Sequence, residues 1–132
     1  MLAAQELHRR GLEHLHQWRF ASARREFRRA LTRDPSDELR ARILVSLALV
    51  VAELGEPDAG LELCAEAHAI GVDSPEITAL ITSQEAALHQ RRGEYERSLA
   101  LYEQSIDDLP DGSLELANSL NDLGVVRLRV GD

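Results

Sequence analysis

The stretch from Leu7 to Pro35, LHRRGLEHLHQWRFASARREFRRALTRDP, reads as two short helices joined by a turn at Trp18 and Arg19. Gly11 lies in the first helix, and Ala23, Phe27 and Ala30 share one face of the second. Pro35 stops the unit, because proline lacks a backbone N–H and restricts the residue before it. The same template fits further down the chain. Gly11 recurs as Ala48, Ala86 and Gly124, at spacings of 37, 38 and 38. Ala23 recurs as Gly60 and Ser98, Phe27 as Cys64 and Tyr102, and Ala30 as Ala67 and Ser105, at 37 and then 38. Columns that keep one register in this way describe a helical-hairpin repeat.

Composition limits what such a repeat can do. The 132 residues are 44% hydrophobic with a net charge of −8, which suits a folded domain and gives no sign of disorder. All 15 basic side chains are arginine, as a G+C-rich bacterial gene would give. Ten of them fall in residues 1–42 against 6 acids, leaving the remainder strongly acidic. A single cysteine, Cys64, excludes an internal disulfide. The start, MLAAQELHRRG, lacks the apolar segment and cleavage site of a signal peptide. The longest apolar run, Ile43 to Ala52, is far too short to span a bilayer. A cytoplasmic protein with no membrane contact is expected.

Along the chain, Leu7, Gly11, Leu12 and Leu15 recur at helical spacing, and Trp18 and Phe20 are placed to cover the end of the first hairpin. The helix from about Asp37 to Leu54 is apolar on more than one side, so it should lie between neighbours. Gly55 suits a left-handed cap there and Gly71 closes the next helix, while Pro57 and Pro75 suit first helical turns. The stretch Asp34-Pro35-Ser36-Asp37 offers an N-cap to the helix after it, and Ser74 is the expected N-cap of the next unit. A final helix begins at Ser113, and Gly131-Asp132 aligns with Gly93-Glu94 and Gly55-Glu56, where second helices start. The expected layout is one domain over 1–132, with repeats at about 4–37, 41–74 and 79–112 and half a repeat at 113–132. The half repeat suggests the amino-terminal part of a longer protein. Leu114, Val125 and Val130 on its second face suggest weak self-association through the C-terminal helix.

The pattern resembles the tetratricopeptide (TPR) repeats. Leu123-Gly124 matches the family's first-helix pair, while Ala23, Phe27, Ala30 and Pro35 match its second-helix set. Tyr95, Tyr102 and Pro110 do the same in the third unit. The spacing exceeds the family's usual 34, Arg10 and Glu85 replace a leucine, and Val72 stands where proline belongs. The resemblance implies an all-α fold, a right-handed superhelical stack of three full repeats plus half of a fourth. A fainter resemblance, in texture, is to the repeats that precede caspase-like peptidase (CHAT) domains in bacteria. It would put a linked effector outside this chain. The sensing arm of a TPR-containing transcription regulator is the alternative.

Residues with chemical potential give no catalytic constellation. His14 and His16 diverge by about 200° around a helix axis, the wrong spacing for a zinc clamp, and no metal or other cofactor is expected. Cys64 sits in the inward column of Phe27 and Tyr102, with His68 one turn on in the packed interior. Arg24, Arg25, Arg28 and Arg29 form a basic face, but Glu26 interrupts it and Phe27 points inward, which argues against nucleic acid. The chain is not expected to be an enzyme.

What the resemblance implies is a partner-binding groove lined by first helices. By register its residues are His8, Leu12 and His16; Val45, Leu49 and Glu53; Ser83, Ala87 and Gln90; and Asn121 and Val125. The family's carboxylate clamp wants asparagine where Leu12, Leu49 and Ala87 stand, and lysine is absent here. The expected partner is therefore a protein or peptide segment of mixed apolar and polar character, in place of a chaperone's terminal carboxylate.

Overall fold

The computed structural model describes residues 2–109 together with 124 and 128. The helices α1 (Ala4–His16) and α2 (Phe20–Leu31) form the first hairpin. The second is α3 (Asp37–Glu53) with α4 (Pro57–Ile70), and the third is α5 (Pro75–Arg91) with α6 (Tyr95–Asp107). No strand occurs among the described residues. Each boundary has a local cause. Ser36 Oγ accepts from the Leu39 N–H at 3.3 Å and Ser74 Oγ from the Ile77 N–H at 3.3 Å, capping α3 and α5. Pro57 and Pro75 open α4 and α5, where a missing N–H costs nothing.

One compact unit ends at Val72 and holds α1 to α4; a second begins at Asp73 and holds α5 and α6. In the first unit α3 packs against α1, α2 and α4. That explains its apolar residues on all sides: Ile43, Leu47, Val50 and Val51 join Leu7, Ala23, Phe27 and Ala30 in one core. Phe27 is fully buried, and its ring fills the space beside Gly11. A Cβ on Gly11 would overlap that ring, so the small residue there is a packing requirement. The equivalent Ala48 and Ala86 are fully buried as well. For Gly124, no described residue lies within 4 Å of a Cβ placed on it. In the second unit Ala86 and Tyr102 form the core, flanked by Tyr95, Leu99, Leu101 and Ile106.

The three hairpin turns share one backbone device. The Arg19 N–H reaches His14 O, the Glu56 N–H reaches Val51 O, and the Glu94 N–H reaches His89 O, each at 2.9 Å. Such a bond needs a left-handed residue just before the donor. Gly55 (φ 92°) and Gly93 (φ 79°) fill that position in the second and third hairpins, but Trp18 (φ 61°) fills it in the first. A side chain at this φ costs about 1–2 kcal/mol that glycine avoids. Trp18 also corrects the expectation that it covers the hairpin end: it is 77% exposed, touching the Phe20 ring edge-on with centroids 6.0 Å apart. We expect Trp18→Gly to be more stable than Trp18→Ala by about 1 kcal/mol in urea denaturation, since both lose the indole and only glycine relaxes the turn. Equal stabilities would show that the turn is unstrained.

Candidate functional site

Of the groove residues expected in the first unit, His8, Leu12 and His16 stand on α1 and Val45, Leu49 and Glu53 on α3, and the two helices meet in a seam. At its middle, His8 Nε2 and Ser46 Oγ are 3.2 Å apart. The Ser46 hydroxyl donates to Arg42 O at 3.1 Å, so its proton is committed and the His8 Nε2–H is the donor between them. His8 also leans on the Phe27 ring, centroids 5.6 Å apart. Burial, with a smaller contribution from the Arg42 guanidinium, pushes the His8 pKa below its ordinary 6.5.

That shift makes stability depend on pH. The unfolded chain protonates His8 near 6.5, whereas the folded chain resists until lower pH, so the unfolded state binds more protons in the window below 6.5. Stability from this group is complete above pH 6.5 and is lost as pH falls through the folded value. His8→Gln should flatten the stability profile as pH falls below about 6.5. A profile as steep as that of the parent chain would show that another group is responsible.

Leu12 and Leu49 are half-buried, and Leu12 packs against the core while keeping an open edge. His16 is exposed. Val45 is only 6% exposed, so it belongs to the core and offers no groove surface; a helix apolar all round hides which of its rows faces out. Each end of the seam opens into a cleft. One, of about 300 Å³, is lined by Gln5, Ser36, Glu38, Leu39 and Arg42. The other, of about 130 Å³, is lined by Leu15, Trp18, Phe20, Leu49 and Glu53. Leu49 and Glu53 were expected at a site; Leu15, Trp18 and Phe20 were not.

In the second unit, Ala87 and Gln90 line a cleft of about 420 Å³ with Arg91 and Tyr95. Ser83 is 3.2 Å from Ser105 on α6, so this groove candidate ties the two helices of its own hairpin together. The turn beside the cleft is held by His89. Arg97 Nε–H donates to His89 Nε2 at 3.2 Å, which places the imidazole proton on Nδ1, 3.0 Å from Glu94 Oε1. The hydrogen bond from His89, aided by the charges of Arg92 and Arg97, holds the Glu94 carboxyl below the usual carboxylate range. Asn121 and Val125 lie outside the described residues.

The residues outside the groove are explained by packing. Cys64 is fully buried, while His68 is exposed, which corrects its expected place in the interior. Glu26, expected merely to interrupt the basic face, is nearly buried and pairs with Arg29 at 3.3 Å. Among the described residues no three His, Cys, Asp or Glu side chains converge as a metal site would require. No described helix is long and apolar enough to cross a membrane.

No family model matches the sequence, and no curated protein matches it either. Among solved structures, the TPR2AB domain:pHSP90 complex of yeast Sti1 superimposes with a TM-score of 0.70 at 14% identity. The match covers 96% of this chain and 50% of that chain, so the present chain spans half the length of its structural neighbour. The fold is TPR-like. In TPR-like terms α1, α3 and α5 are first helices and α2, α4 and α6 second helices, and the Gly11–Phe27 contact is the small-to-aromatic pairing inside a repeat.

Proposed function

We propose that this chain is a protein-interaction module that takes a peptide or partner segment on the face of its first helices. The observation that carries the reading is the α1–α3 seam. Half-buried Leu12 and Leu49 lie along it, the His8–Ser46 hydrogen bond crosses it, and a cleft opens at each end. Such a surface offers apolar area together with polar groups that fix register, the combination that peptide grooves use. The structural neighbour is a TPR2AB domain in complex with pHSP90, which supports partner binding by this fold in general. A terminal-carboxylate clamp is not part of the proposal, because leucines stand at positions 12 and 49 and no lysine occurs.

The test is selection of peptides from a random display library on the whole chain, followed by mapping of the binders through amide chemical shifts. Perturbations along α1 and α3, lost in Leu49→Glu with helicity retained, are the expected result. Binders that map instead to Arg24, Arg25, Arg28 and Arg29 on α2 would overturn the reading.

A further inference from the structure

Three features meet at the small cleft. First, the left-handed turn position that glycine holds in the other two hairpins is held here by tryptophan. Second, that tryptophan is 77% exposed, so burial does not compensate for the strained backbone. Third, the lining is Leu15, Phe20 and Leu49 beside the indole, and its one ionisable side chain is Glu53. A strained, solvent-facing aromatic at a cleft is the kind of position that folding alone would not favour.

We propose that Trp18 is the recognition anchor of this module, and that the cleft takes a partner segment in which a basic side chain follows an apolar one. The proposal rests on the reading of the first-helix face as the binding surface. Size argues for a side chain as occupant: a cleft of about 130 Å³ is well below the roughly 300–1,000 Å³ of small-molecule sites. An aliphatic side chain fits between Leu15, Phe20 and Leu49, burying apolar surface on both partners. Charge and ring chemistry select the neighbour. A guanidinium or ammonium over the indole gains a cation–π contact, and Glu53 supplies the opposite charge within the same cleft.

The probes are three capped twelve-residue peptides that share an amphipathic leucine face and differ in the next residue, arginine, glutamine or glutamate. Trp18 is the only tryptophan in the chain, so its fluorescence reports occupancy of the cleft directly. The arginine peptide is expected to bind about 10-fold or more tighter than the glutamate peptide, with a large shift in indole emission. In Glu53→Gln that preference should collapse. Trp18→Gly and Trp18→Ala should both weaken binding about 10-fold by calorimetry, although the glycine variant melts higher of the two. Loss of binding without a parallel loss of stability separates recognition from scaffolding. Equal affinity for the three peptides, or unchanged binding in Trp18→Gly, would overturn the anchor. If binding then mapped to α1 and α3 away from the cleft, the interaction-module reading would stand without it. Failure of all three peptides on every variant, with no library binder on this face, would remove both.

Discussion

Phe27→Ala should lower the stability of the α1–α4 unit by about 3–5 kcal/mol, a large share of the roughly 4–10 kcal/mol ordinary for a unit of its size. The ring is fully buried and shares one core with Leu7, Ile43, Leu47, Val50 and Val51, drawn from α1, α2 and α3. Removing it takes away transfer free energy and leaves a cavity at the junction of those three helices. The loss reaches the candidate site too, because the ring supports His8 on the seam. Urea denaturation followed by circular dichroism gives the number. A cost below about 1.5 kcal/mol would mean that the helices collapse into the gap, and that Phe27 does not set their spacing.

The second large effect changes sign with its background. A Cβ on Gly11 overlaps three carbons of the Phe27 ring, and a ring that is fully buried cannot swing aside. Gly11→Ala should therefore destabilise by up to about 2 kcal/mol, an overpacking cost of about 1–3 kcal/mol reduced by roughly 1 kcal/mol of helix propensity. In the Phe27→Leu background the obstacle is smaller and propensity wins, so the same substitution should be neutral or stabilising by about 0.5–1 kcal/mol. The double-mutant cycle isolates the contact. Additive effects in the two backgrounds would mean that Gly11 and Phe27 are not the packed pair that defines the repeat.

Much of this architecture could be read before any coordinates. Phe27 with Gly11, and the small residues at Ala48 and Ala86, were visible as columns because helix packing forces small side chains to recur at a fixed period. Helix ends were legible for the same local reason: Ser36, Ser74, Pro57 and Pro75 act within one turn of themselves. Side-chain direction on a helix that is apolar all round was not, so Val45 looked like groove and proved to be core. Ser83 was placed on the concave row by counting, yet it bonds to Ser105, because a short polar side chain takes the nearest partner within its own hairpin. The cleft at Trp18 has a signal in the sequence as well. Trp18 shares a column with Gly55 and Gly93, and a bulky residue in a glycine column marks a backbone held against its preference.

Cys64 gives the first unit an internal clock. It is the only thiol in the chain, sealed on the inward face of α4, and fully inaccessible in the closed state. A disulfide reagent can reach it only when the surrounding structure opens, so the labelling rate measures that opening directly. If α1 to α4 open as one body, weakening the distant Gly11–Phe27 contact will speed labelling by the same factor that it lowers global stability. If α4 can part from α3 alone, labelling will ignore that contact. Hairpins stacked in a line can fail from the end or all together, and this one sulfur distinguishes the two.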